Sequence, residues 1–103
     1  MEDKFITKWC NITFKIGKKV YVIYDDSITL EYIGYMGEES FIIKEFSDKF
    51  EDAIEYFYED YGRTWFTNFA DAKKQVIKDY EDILRKPKLV KRHEGYWELK
   101  EGL

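Results

Sequence analysis

The chain has little of the chemistry that catalytic and metal sites need. It contains one cysteine, Cys10, and one histidine, His93. A zinc site takes about four cysteine, histidine or carboxylate ligands, usually in closely spaced pairs, and this sequence has no such pairs. Cys10 and His93 could act as nucleophile and base only if they met, and they belong to opposite terminal segments. We therefore predict a non-enzymatic protein with no catalytic residues, no metal and no cofactor.

Long apolar runs are also missing. A helix that spans a bilayer needs about 20 apolar residues, whereas the purely apolar runs here extend over only a few residues. The first residues do not have the basic start, apolar run and small-residue cleavage site of a secretory signal. A lone cysteine cannot form a disulfide within this chain, which suits a reducing compartment. We expect a soluble, cytoplasmic protein without membrane partners, folded as a single domain over residues 1–103.

Aromatic side chains are in excess. The chain contains nine tyrosines, eight phenylalanines and three tryptophans. Each aromatic side chain can bury about 150–250 Å², so this set is larger than the core of one small domain can hide. Some tyrosine and tryptophan rings must lie at the surface, where they are typical anchors of protein interfaces.

Alternating apolar residues predict an antiparallel sheet of about five strands. The first two strands should form a hairpin around a Gly17–Lys18 turn. Gly34 interrupts the third strand and indicates a bulge or bend, a feature that curls small sheets. The segment from Ser47 to Tyr61 allows two interpretations, a helix capped by Ser47 or Asp48 or a strand over 53–59 that forms a hairpin with 64–66, and β-propensity favours the strand. Besides the strand over 53–59 and its partner over 64–66, the predicted strands are residues 12–16, 20–24, 28–33, 41–46 and 96–99.

A single long helix is predicted near residues 68–85. Asn68 can cap it, with Asp71 three positions later in the manner of a capping box. Pro87 ends the pattern, and Arg85 and Lys86 suit the negative end of the helix dipole. The fold class is therefore α+β. The predicted apolar stripe consists of Phe69, Ala72, Val76, Tyr80, Ile83 and Leu84.

Charge is distributed unevenly along the chain. Between Tyr24 and Asp60 there are twelve acidic residues against Lys44 and Lys49, and between Lys73 and Arg92 eight basic residues against three acidic ones. Charged strand and turn positions serve solubility in many proteins. The functional alternative is an acidic face that meets a basic surface, such as the nucleic-acid groove of a host enzyme.

The motif Tyr61-Gly62-Arg63-Thr64-Trp65-Phe66-Thr67, followed by an Ala- and Lys-rich helix, resembles small Firmicutes and prophage proteins. In those proteins a strand ending in Tyr-Gly-Lys-Thr-x-Phe-x-Thr leads into a Glu-Glu-Ala helix start, where this chain has Ala70-Asp71-Ala72. The resemblance covers residues 14 to about 80. It implies a small SH3-like barrel or curled sheet with a helix packed on it, no assigned activity, and a mobile-element origin.

The leading functional hypothesis is a phage-type protein that binds a host protein and inhibits a defence or nucleic-acid-handling complex, as anti-CRISPR proteins do. Turns on a rigid sheet can present the contacting side chains. Two alternatives stay open: a nucleic-acid module, which the sequence pI of about 5.1 disfavours, and a domain that self-associates through an edge strand near Tyr96. The predicted partner-binding residues are Tyr24, Asp25, Asp26, Tyr35, Glu38, Glu39, Glu59, Asp60 and Tyr61. The nucleic-acid alternative would use Lys86, Lys88, Lys91 and Arg92, with Trp97 stacking on bases.

Overall fold

The computed structural model describes residues 5–6, 13–14, 16–43 and 54–102. Over these ranges the chain forms nine short strands and one α-helix, so the predicted α+β class is confirmed. A short 3₁₀ helix, Tyr58–Asp60, lies between two of the strands. The strands are β1 (Phe5–Ile6), β2 (Thr13–Phe14), β3 (Lys19–Tyr24), β4 (Ser27–Met36), β5 (Ser40–Ile43), β6 (Glu55–Phe57), β7 (Trp65–Phe66), β8 (Lys88–His93) and β9 (Tyr96–Lys100), and the helix is α1 (Phe69–Tyr80).

The main sheet is antiparallel and centres on β4. The strands β6, β5, β4, β3 and β7 follow one another in this order. Strand β4 pairs with β3 over six residues, with β9 through Ser27–Thr29, and with β5 from Ile33 onwards. The ten-residue strand β4 thus pairs with three strands, and β8 extends the sheet beyond β9.

The sheet curls until its two ends meet. Trp65 in β7, at one end of the strand order, donates its indole N–H to the Phe57 carbonyl in β6 at the other end, at 2.8 Å. Trp65 is fully buried inside this half-barrel and packs edge-on against Phe41, with 5.0 Å between ring centroids. The predicted curled sheet is confirmed. The enclosed cluster consists of Val20, Val22, Ile33, Phe41, Ile43, Tyr56, Tyr58 and Trp65.

Gly34 lies at the predicted irregularity. The register between β4 and β5 shifts between Ile33 and Tyr35. Ile33 is buried, and Met36 packs against the same enclosed cluster. Regular alternation would place residues three positions apart on opposite faces of the sheet, so the bulge adds one residue to the alternation. Tyr35 is consequently turned outward and is 56% exposed.

Helix α1 packs on the outer side of the curl. The Asn68 side chain caps it by accepting the Asp71 backbone N–H at 2.9 Å, as predicted. Because neighbouring strand residues point to opposite faces, Trp65 enters the enclosed cluster while Phe66 faces the helix. The cluster beneath the helix is formed by Ile28, Phe66, Ala72, Val76 and Leu99.

The helix ends earlier than predicted, at Tyr80 instead of near residue 85. The following residues continue as a turn in which the Leu84 N–H bonds the Tyr80 carbonyl at 2.8 Å. Glu81 and Asp82 stand at the negative end of the helix dipole, where carboxylates disfavour further helix. Ile83, placed on the predicted apolar stripe, is 72% exposed.

Two predicted hairpins do not form, because the strands concerned take other partners. Strand β2 pairs with β1, and β3 pairs with β4 and β7, so the hairpin around Gly17 does not form between β2 and β3. Strand β6 confirms the strand interpretation over 55–57 but pairs with β5, whereas β7 pairs with β3. Residues 7–12, 15 and 44–53, which include Cys10 and the predicted caps Ser47 and Asp48, lie outside the described residues.

Candidate partner-binding surfaces

The nine predicted partner-binding residues lie at the two ends of β4. Asp25 and Asp26 form the turn before this strand, and Glu38 and Glu39 the turn after it. Ten strand residues extend over up to roughly 30 Å, so these carboxylates cannot meet one small epitope together. We name the first group, Tyr24, Asp25 and Asp26, the β3–β4 tip. We name the second group, Tyr35, Glu38, Glu39, Glu59, Asp60 and Tyr61, the β4–β5 tip.

The β3–β4 tip is held by backbone geometry. Asp25 has a φ of 52°, a left-handed conformation that aspartate tolerates better than most residues. The Ser27 hydroxyl donates to the Tyr24 carbonyl at 2.7 Å, and the Leu99 N–H donates to the Asp26 carbonyl at 2.8 Å. The Tyr24 ring projects from this fixed turn and is 69% exposed.

Two tyrosines outside the predicted set stand near the same tip. Desolvation raises the pKa of Tyr80, and the negative charges of Asp25 and Asp26 raise it further. A hydrogen bond to Glu98 raises the pKa of Tyr96, with desolvation and Asp26 acting in the same direction. The sequence predicts Tyr80 on the apolar stripe of the helix and Tyr96 in an edge strand. Only the packing of α1 and β9 beside the β3–β4 turn brings these two tyrosines close to Asp26.

The β4–β5 tip is assembled by Tyr58, which is fully buried. Its hydroxyl donates to the Gly37 carbonyl at 2.9 Å, and its backbone N–H donates to the Glu39 carbonyl at 3.0 Å. These bonds tie the 3₁₀ helix to the β4–β5 turn. The carboxylates of Glu59 and Asp60 therefore belong to the same end of the molecule as those of Glu38 and Glu39.

The six residues of the β4–β5 tip differ in how much they offer to a partner. Glu38, Glu39 and Glu59 are exposed, as is Tyr35. Asp60 is half-buried and forms an ion pair with the Arg63 guanidinium, which offsets its charge. Tyr61 is also half-buried, because its ring packs edge-on against Trp65 with 4.9 Å between centroids. The tip thus presents three carboxylates and one tyrosine ring to solvent.

The basic segment forms β8, a strand that is absent from the predicted set. Lys86 precedes it in a left-handed conformation (φ 48°), and Lys88 is its first residue. Lys91 forms an ion pair with Glu94 at 2.9 Å, which lowers the pKa of Glu94, and Arg92 lies 3.4 Å from Glu98. Two of the four basic residues of the nucleic-acid alternative are therefore partly neutralised within the β8–β9 hairpin.

Trp97, the proposed base-stacking residue, is half-buried in β9. Its ring lies 4.6 Å from the Phe69 ring and 6.2 Å from the Tyr21 ring, measured between centroids. The Lys91 ammonium stands 6.0 Å from the same ring. Trp97 therefore serves to seat α1 against the sheet, and its aromatic surface is largely used within the protein.

Strand β9 has partners on both sides. Tyr96 is aligned with Thr29 of β4 and with His93 of β8, and the His93 and Tyr96 rings stack at 4.9 Å. The strand near Tyr96 is therefore not an edge, and self-association by strand addition at this position is excluded.

Two features are absent from the described residues. Within the ranges given above, no group of three or more histidine, cysteine, aspartate or glutamate side chains is arranged to hold a metal ion. Across this same part of the chain, no helix has the length and apolarity needed to cross a membrane.

No protein-family model matches the chain, and comparisons with curated proteins and with solved structures found no match either. The resemblance around Tyr61–Thr67 therefore stays a prediction.

Proposed function

We propose that this protein acts by binding another protein through the β4–β5 tip. The observation that carries the proposal is the way in which Tyr58 fixes two turns side by side, so that Glu38, Glu39 and Glu59 stand exposed on a rigid frame. Side chains on a frame that is ordered before binding lose less conformational freedom when a partner arrives. Such carboxylates select a partner by charge and speed its approach.

The class of partner follows from the sign of this surface. The β4–β5 tip exposes the carboxylates of Glu38, Glu39 and Glu59, and an acidic surface complements the basic grooves with which proteins hold nucleic-acid phosphates. A protein seated in such a groove excludes the nucleic acid. We therefore propose an inhibitor of a host defence or nucleic-acid-handling complex, of the anti-CRISPR type, consistent with the prophage resemblance.

Capture on immobilised protein from a bacterial host lysate tests this function. One arm uses the wild-type chain, a second the double variant Glu38→Lys, Glu39→Lys, and a third the control Asp26→Lys, Asp79→Lys. The control makes the same change of charge at exposed positions near the β3–β4 tip. It leaves Asp25, whose φ is positive, unchanged.

We expect the wild-type and control arms to retain a protein that the Glu38→Lys, Glu39→Lys arm loses. That protein, once purified, should bind nucleic acid, and added wild-type chain should displace the nucleic acid. Equal retention in all three arms would contradict a role for the β4–β5 tip. A captured protein whose nucleic-acid binding is unaffected would contradict the proposed inhibition.

A further inference from the structure

The outer face of the sheet beside the β4–β5 tip carries an apolar patch. Tyr35 of β4 is aligned with Ile42 of β5, and Ile42 with Glu55 of β6. Residues aligned in this way project to the same face. Phe57 follows Glu55 by two positions, so its side chain belongs to that face as well. We name Tyr35, Ile42 and Phe57 the sheet-face patch.

Packing accounts for the exposure of this patch. Helix α1 makes its main contacts with β3, β4 and β7. The rings of Tyr35 and Phe57 are 56% and 41% exposed, and Ile42 lies half-buried between them. Single exposed rings are common on protein surfaces, whereas a contiguous apolar group on a fixed sheet is typical of an interaction site.

Carboxylates border the sheet-face patch. Glu55 lies in the same row as Tyr35 and Ile42, and its side chain accepts a hydrogen bond from Ser40 on the same face. Glu38 belongs to the turn that follows β4, and Glu59 to the 3₁₀ helix that follows β6. One carboxylate therefore lies in the row of the patch itself, and two others follow the patch residues Tyr35 and Phe57 by three and two positions along the chain.

This combination suits a guanidinium group better than an ammonium group. A guanidinium is planar and weakly hydrated, so it can lie flat on an aromatic ring while its N–H groups donate to a carboxylate that lies in the guanidinium plane, beside the ring. A lysine ammonium is compact, more strongly hydrated, and cannot make the bidentate contact. We infer that the sheet-face patch docks an arginine-bearing segment of the partner protein. This inference rests on the proposed function and adds the chemistry of the partner.

Two synthetic peptides of equal length and charge test the inference without knowledge of the partner. One alternates arginine with serine, and the other alternates lysine with serine. Isothermal titration calorimetry of each peptide against the wild-type chain at low salt measures the two affinities. We expect the arginine peptide to bind about fivefold more tightly than the lysine peptide, because a guanidinium can stack on the two exposed rings and bond a carboxylate at the same time, whereas a strongly hydrated ammonium cannot.

Variants then locate the binding site. Tyr35→Ala and Phe57→Ala each remove an exposed ring and should each reduce the arginine preference by about two- to fivefold. Tyr24→Ala is the matched control, since it removes a more exposed tyrosine at the other end of β4. Amide chemical shifts in the wild-type spectrum should move at β5 and β6 during titration and stay fixed at the β3–β4 turn.

Equal affinity of the two wild-type complexes would overturn the inference, because it would show attraction by charge alone. An arginine preference that survives both Tyr35→Ala and Phe57→Ala, or falls equally in Tyr24→Ala, would overturn it as well. The peptide comparison needs only the wild-type chain and so does not depend on the folding of any variant. If lysate capture still depends on Glu38 and Glu39 while the peptides bind equally, the inference fails and the proposed function stands.

Discussion

At the scale of single residues, the tyrosines show how place decides the role of one side chain. Tyr58 is fully buried and uses its hydroxyl to tie a turn, whereas Tyr24 and Tyr35 project into solvent. Tyr80 and Tyr96 stand between these extremes, half-buried beside carboxylates. The composition predicts that some rings must be exposed, but it contains nothing that selects which ones.

Because of Tyr80 and Tyr96, we expect the free energy of unfolding to fall as the pH rises through the alkaline range. Both pKa values are raised above the ordinary value of 10.0, so the folded chain holds these protons more tightly than the unfolded chain does. Below pH 10.0 both states keep the protons, and the contribution is constant. As the pH rises above that value, the unfolded state loses protons first, and the free energy of unfolding falls. Urea unfolding midpoints measured across this alkaline range should decrease with pH.

The Tyr80→Phe, Tyr96→Phe double variant provides the control for this dependence, because it removes both titrating hydroxyls and keeps the rings. Its unfolding midpoint should fall less steeply than that of the wild-type chain over the same pH range. Identical slopes in the wild-type chain and the double variant would contradict the assignment.

At the scale of elements, the sequence predicts features that are set by adjacent residues and misses those set by distant ones. The cap at Asn68 and the bulge at Gly34 depend on local geometry, and both are confirmed. Strand β8 was not predicted because the alternation of apolar and polar residues in Lys88–His93 is weak. The strand pairings of β6 and β7 depend on closure of the curl, which no local pattern encodes, and β2 pairs with β1 in a separate two-stranded sheet.

The candidate site divides in the same way. Its residues were chosen at turns, and the structure does place them at or next to turns. They separate into two tips because β4 lies between the two turns, and the strand predicted between these turns already implied the separation. The approach of Glu59 to Glu39 was not predictable, because it depends on Tyr58 reaching across to the β4–β5 turn.

The cap of α1 gives a prediction at this scale. Asn68→Ala removes the oxygen that accepts the Asp71 N–H, which leaves one donor of the first turn without its side-chain acceptor. We expect the free energy of unfolding to fall by about 1 kcal/mol, measured by urea denaturation. Asn68→Ser retains a capping oxygen and should recover most of the loss. Equal losses in the two variants would show that the cap does not stabilise the helix.

At the scale of the whole molecule, the acidic and basic segments of the sequence form separate acidic and basic surfaces only in part. The basic residues Lys91 and Arg92 are drawn into ion pairs with Glu94 and Glu98, so the β8–β9 hairpin offsets much of its own charge. The acidic turns at the two ends of β4 are less compensated, since Asp60 alone among the tip carboxylates has an ion pair within the described residues. This contrast is the reason to expect a basic partner instead of a nucleic acid.

Closure of the curl gives the last prediction. Trp65 bonds the Phe57 carbonyl, Tyr58 bonds the Gly37 carbonyl, and both rings pack against Phe41. Trp65→Phe should lower the free energy of unfolding by about 2–4 kcal/mol through lost volume and a lost hydrogen bond. Tyr58→Phe should lower it by about 1–2 kcal/mol, because it leaves the half-buried Gly37 carbonyl without that donor.

A double-mutant cycle measured by urea denaturation tests whether these two side chains act as one unit. Residues that share a contact commonly couple by about 0.5–3 kcal/mol, so the double variant should differ from the sum of the single losses by an amount in this range. Tyr58→Phe combined with Val76→Ala is the matched control, because Val76 belongs to the separate cluster under α1. That pair should add within about 0.5 kcal/mol. Additivity in the Trp65 cycle would mean that β6 and β7 are held independently and that the half-barrel does not close cooperatively.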